Sequence, residues 1–181
     1  SDPTNCQQAL GPSVVLHHDG SVTAAGRMPN SAWDYDFGSS SAGAGGMGAS
    51  WIAHADSSGN WVWAENASTS QYSSGSVGED QYFTMDKFSD DTLFFAYCTF
   101  AGTSTYLEFA GSSVGGYSRQ QSSNGISTAY VATMNHTTGD AISLERLTGY
   151  DYNRESWFSS KPYSAVDSDD IAHVLIDITT G

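Results

Sequence analysis

Basic side chains are scarce in this sequence: its 181 residues carry 6 Lys and Arg against 20 Asp and Glu, a formal net charge of −14. A chain so poor in cations has no phosphate-neutralising surface, which argues against nucleic acid and anionic membranes as partners. Cysteine is also sparse. Cys6 and Cys98 are too few for a disulfide scaffold and lack the Cys-x-x-Cys spacing of zinc or redox sites. They could form one disulfide with each other, remain two buried thiols, or leave Cys6 to pair with another molecule. No apolar run approaches the roughly 20 residues that cross a bilayer, so no membrane insertion is expected. The opening Ser1-Asp2-Pro3-Thr4-Asn5 has neither the basic nor the apolar region of a signal peptide, so any leader is expected to have been removed or to lie outside this sequence. Helical periodicity is missing too, because Gly and Ser interrupt the chain too often for long helices.

What is present is aromatic and small. There are 5 Trp, 10 Tyr, 8 Phe and 19 Gly, and only 14% of residues are charged. Such a chain gains order by burying aromatic surface rather than by ionic solvation. The length suits one domain with a sizeable core, and the composition reads as a folded, extracellular β protein.

The most informative feature is an internal repeat. Asp19 to Arg27, then Asp36-Phe37-Gly38 and a Ser/Gly run, then Ser50 to Glu65 define one order of segments. That order returns as Asp90 to Cys98, Glu108-Phe109-Ala110-Gly111, and Ala129 to Glu145. A third copy opens at Tyr163 to Asp177. Phe37 and Phe109 are 72 positions apart and Gly59 and Gly139 are 80, the difference falling in a loop around Gln120 to Asn124. A repeated unit tolerates insertions in such loops. The chain therefore divides into units of about 11–75, 78–150 and 160–181 within a single β-repeat domain.

Each unit predicts four strands. In the first they are Ser13 to His18, Val22 to Arg27, Trp51 to Asp56 and Trp61 to Glu65, with Asp19-Gly20 and Ser57-Ser58-Gly59-Asn60 as hairpin turns. In the second they are Gln81 to Met85, Leu93 to Thr99, Thr128 to Met134 and Ala141 to Leu147. The expected fold class is all-β: tandem four-stranded antiparallel sheets, the third unit incomplete, with no long helix.

Asp19, Gly20, Gly26, Phe37, Gly38, Gly45, Ile52, Ala53, Asp56, Gly59, Asn60, Trp61, Trp63 and Ala64 together follow a course that resembles the β-propeller repeats of secreted and surface-exposed bacterial proteins. The resemblance implies blade-like sheets. Closed propellers have at least about four blades, so two and a half units imply a piece of a longer protein, a protomer completed by its neighbours, or an open stack. A second resemblance, carried by Tyr106 to Arg119, Tyr150 to Phe158 and Asp177 to Gly181, is to the ligand-binding half of extracellular Cache sensor domains and implies a small-molecule sensor. It leaves the first 80 residues and the repeat unexplained.

Several residue sets bear on chemistry. Gly111-Ser112-Ser113-Val114-Gly115 matches a nucleophile elbow in letters, but no helix is expected after it. His17 and His18, placed on one strand, are expected to point to opposite faces and so not to share an ion, and His54, His136 and His173 have no zinc spacing. Asp34, Asp36 and Glu108, beside the Phe-Gly elements, are the candidate oxygen ligands for calcium, although solvated turn carboxylates are the simpler reading. Trp33, Asp34, Asp36, Trp61 and Trp63 form the candidate binding set; Trp61 and Trp63, two apart on one strand, are expected on one face, as a sugar platform or as core. Asn66 and Asn135 open N-x-[ST] tripeptides and are candidate glycosylation sites.

The expected function is a secreted, non-enzymatic structural or adhesive subunit that self-associates, with no resident cofactor unless calcium. A carbohydrate-binding module is the alternative, and a carboxylate-pair hydrolase a third reading.

Overall fold

The computed structural model describes residues 13–27, 35–38, 40–42, 50–69, 82–100, 106–109, 119–120, 127–147, 156–157, 162–176 and 179–180. Within them the chain is all-β, without a helix. The first unit contributes β1 (Ser13–Leu16), β2 (Val22–Arg27), β3 (Tyr35–Phe37), β4 (Ser40–Ala42), β5 (Ser50–Ala55) and β6 (Trp61–Thr69). The second contributes β7 (Tyr82–Lys87), β8 (Leu93–Phe100), β9 (Tyr106–Phe109), β10 (Arg119–Gln120), β11 (Ser127–Met134) and β12 (Ala141–Arg146). After these come β13 (Ser156–Trp157), β14 (Tyr163–Val166), β15 (Ala172–Leu175) and β16 (Thr179–Thr180).

The expected four-stranded antiparallel sheets are present, β1-β2-β5-β6 in the first unit and β7-β8-β11-β12 in the second. The third unit is the hairpin β14–β15. One connection was not expected: β9, from the second unit, pairs with β6 through Ala67↔Phe109 to Thr69↔Leu107, so that β9 and β10 extend the first sheet to six strands. The matching hairpin β3–β4 instead brings Phe37 onto Ala53, beside Trp51 and Trp61. Gly26 makes room for this layer, since a Cβ there would lie 2.7 Å from the Trp51 indole.

One turn design recurs at the same end of the sheets. In His17–Ser21, Asp56–Asn60, Phe88–Thr92 and Asp167–Ile171, the first amide donates to the fifth carbonyl and the fourth amide to the first carbonyl, at 2.9–3.1 Å. The fourth residue is left-handed: Gly20, Gly59, Asp91 (φ 65°) and Asp170 (φ 59°). Side-chain carboxylates brace these turns. Asp19 accepts from the Ser21 amide, Asp56 from Ser58 and Asn60, Asp90 from Thr92, and Asp167 from Asp169 and Ile171. Part of the acidity of the sequence is thus turn chemistry, in which an Asp side chain replaces a backbone acceptor.

The units lie face to face, with β1, β7 and β14 side by side. Val15, Ala25, Ile52 and Trp63 of the first sheet meet Met85, Leu93, Phe95, Tyr130, Ala132, Met134 and Leu144 of the second in one buried cluster. Strand alternation puts Phe94 on the opposite face of β8, toward the third unit, where Phe88 packs edge-on to it at 5.9 Å. The third hairpin is fastened there by the Val166 amide on the Asp86 carboxylate (2.8 Å) and by Thr84 Oγ1 against Ser164 Oγ (2.6 Å).

Candidate functional site

A row of polar and aromatic side chains crosses the first sheet near its turn end. Thr23 pairs with His54 and His54 with Trp63 across β2, β5 and β6, and His17 joins from the end of β1. The row is hydrogen-bonded, His17 Nε2 to Thr23 Oγ1 at 2.8 Å and Thr23 Oγ1 to His54 Nδ1 at 2.9 Å. The His54 ring stacks on Trp63 with centroids 5.4 Å apart and planes at 6°. The second unit closes over it: the Trp63 indole N–H donates to the His136 carbonyl at 2.8 Å. The His136 ring stacks on His17 at 4.5 Å. Gly139 permits this approach, since a Cβ there would stand 2.8 Å from Trp63.

Asp91 completes the group. Its left-handed backbone turns the carboxylate back onto the first unit's turn, where it accepts from the His18 amide at 3.1 Å and contacts the His18 ring at 3.1 Å and the Lys87 ammonium. His17 Nδ1 faces the same Asp91 oxygen at 3.5 Å and has no hydrogen-bond partner, although the side chain is wholly buried. One nitrogen each of His17 and His136 and an oxygen of Asp91 all lie within 4.8 Å of one another.

The electrostatics follow from this packing. Burial first, and then the neighbouring His136, push His17 down to about 4, with the opposing pull of Asp91 too weak to offset them. His54 is lowered for the same leading reason, burial, with His136 adding. Burial alone would push the Asp91 carboxyl up. The hydrogen bonds from Lys87 and from the His18 amide and ring outweigh it and hold Asp91 well below the usual carboxylate range.

The structure corrects two expectations about side-chain direction. β1 ends at Leu16, so His17 and His18 belong to the turn rather than to opposite faces of a strand, and both rings reach Asp91. Trp61 and Trp63 do not share a face. A bulge pairs His54 with Trp63 and Ala55 with Trp61, placing Trp63 toward the second unit and Trp61 beside Phe37 on the other side.

Of the other candidates, Trp33, Asp34 and Cys6 lie outside the described residues, as does the Gly111 to Gly115 segment. Asp36 stands in β3 opposite Ser41, Glu108 in β9 opposite Ser68, Cys98 in β8 opposite Ala129, and Asn66 in β6 opposite Trp51. Asn135 is exposed but braces its own turn, accepting from the Thr137 and Thr138 amides. Sequence reasoning missed the group of His17, Asp91 and His136. The available signal was register: all three occupy turns at one end of stacked, repeated sheets. Comparison with family models, with characterised proteins and with solved structures finds no match to this chain.

Proposed function

We propose that this chain is a non-enzymatic structural subunit of the extracellular, propeller-repeat kind, which self-associates by continuing its own stack head to tail. The observation that carries the reading is a repeated contact. In the second unit Asp91 accepts from the His18 amide, the second position of the preceding turn; in the third Asp170 accepts from the amide and hydroxyl of Ser89, the matching position of its preceding turn. The same device joins one unit to the next twice, as expected of a quasi-one-dimensional stack.

The occupant of the next place is a second copy. On the third hairpin Tyr163 (63% exposed) and Leu175 (68%) face each other across β14 and β15. Their face is the one that, in the first two units, packs on the unit that follows. His173 and Asp167, bonded at 2.8 Å, hold the places of Thr23 and His17 there. At the other end of the stack β1 exposes Val14 and Leu16, in the places where the second unit's β7 carries Met85 and Lys87 toward the first sheet. Joining these unlike faces gives a heterologous, open-ended contact.

The test uses one blocked variant for each face, Leu16→Asp and Leu175→Asp. Each alone is expected to be a single chain, and an equimolar mixture is expected to stop at dimers, because one free face of each kind remains. Association abolished by only one of the two variants, or unaffected by either, would overturn the head-to-tail reading.

A further inference from the structure

We propose that His17 Nδ1, the Asp91 carboxylate and a ring nitrogen of His136 form a binding site for a divalent transition metal of the zinc class, clamping the first unit to the second. The site needs no part of the assembly reading above. Its starting point is an orphan: His17 Nδ1 is buried, has no hydrogen-bond partner, and faces an Asp91 oxygen at 3.5 Å. Buried polar atoms are nearly always satisfied, so an exception calls for an explanation.

The Thr23 chain allows two proton arrangements. If His17 Nε2 donates to Thr23 Oγ1 and the Thr23 hydroxyl donates to His54 Nδ1, then His17 Nδ1 presents a lone pair directly to a carboxylate. In that arrangement two acceptors face one another and a cation between them converts the mismatch into coordination; in the reverse arrangement the metal takes the place of the Nδ1 proton that points at Asp91. A ligating imidazole whose other nitrogen is held by a hydrogen bond is the usual arrangement around zinc. Two imidazoles and a carboxylate are zinc-type ligands, whereas calcium takes six to eight oxygens.

A tetrahedral ion with bonds of about 2.0–2.1 Å needs donor atoms roughly 3.3 Å apart. The three donors lie within 4.8 Å, so the site closes by rotation of His136, a half-buried turn residue that leaves its stack on His17. Lys87 is a built-in competitor, because its ammonium contacts the same Asp91 oxygen. Removing it should tighten metal binding, an effect that adventitious histidine binding would not show.

The test is Co²⁺ titration of the whole chain, read by visible absorption and calorimetric stoichiometry, with Ca²⁺ as the control. One Co²⁺ per chain is expected, with Ca²⁺ unable to displace it. Affinity should fall about tenfold or more in His136→Gln and in His17→Gln, fall similarly in Thr23→Val through loss of the orienting hydrogen bond, and rise in Lys87→Gln. His173→Ala, whose ring contacts Asp167 and not Asp91, should bind unchanged. His136→Gln decides the matter if His17→Gln does not fold, since the His136 side chain is not part of the core. No Co²⁺ uptake, or uptake unchanged in His136→Gln, would overturn the assignment.

Discussion

Asp91 and Asp170 hold a left-handed backbone that a glycine holds at the matching place in the first unit. For a residue with a Cβ this conformation costs roughly 1–2 kcal/mol, least for Asn and Asp. The return is a carboxylate aimed at the preceding turn. Asp170→Gly should keep the turn and lose only the contact to Ser89, so hydrogen exchange at the Ser89 amide and along β14–β15 is expected to speed up while β8 and β11 stay protected. Unchanged exchange at Ser89 would mean the contact does not hold the third hairpin. Glu65 offers a second test at this scale. Burial, with the charge of Asp140 adding, pushes its carboxyl above the usual range. The group costs nothing below the unfolded value, where both states are protonated, and its full cost applies above the raised folded value, where both are ionised. Glu65→Gln should therefore stabilise the protein at about pH 7 and be neutral near pH 3, as read by denaturant unfolding. An equal gain at both would point to packing instead.

At the scale of elements, the sequence shows what is local and hides what is not. The turns were legible because Asp19-Gly20 and Ser57-Ser58-Gly59-Asn60 carry their own conformational instructions, and β2 runs over the expected Val22–Arg27, whereas β1 stops two residues before the expected His18 and β6 runs on to Thr69. The bulge opposite His54 and Ala55 was not, because one extra residue in β6 reverses the alternation that placed Trp61 with Trp63. The pairing of β9 with β6 was hidden for a related reason: it depends on how units stack, not on either strand's own pattern. Gly139 shows how an element serves the interface, since its turn approaches the Trp63 ring too closely for a side chain and its φ is 78°. Gly139→Ala should lower stability by about 1–3 kcal/mol, measured by urea unfolding. A change within a few tenths would mean that the turn yields without moving the indole.

At the scale of the whole molecule, the described acidic and aromatic residues take two main roles. Asp side chains brace turns and link units, while aromatic and aliphatic residues fill the layer between sheets. The repeat was legible in the sequence; the three-residue group at the unit interface was not, because His17 and His136 meet only when one sheet lies on the next. Continuation of that stack by a second copy is the central claim, and the light-scattering mass of the unmodified chain across a rising concentration series tests it most directly. We predict a mass that climbs from 19.2 kDa through multiples of it without a fixed end point, with Leu175→Asp held at the single-chain value. A mass that stays at one chain throughout, or that stops at a dimer, would contradict it.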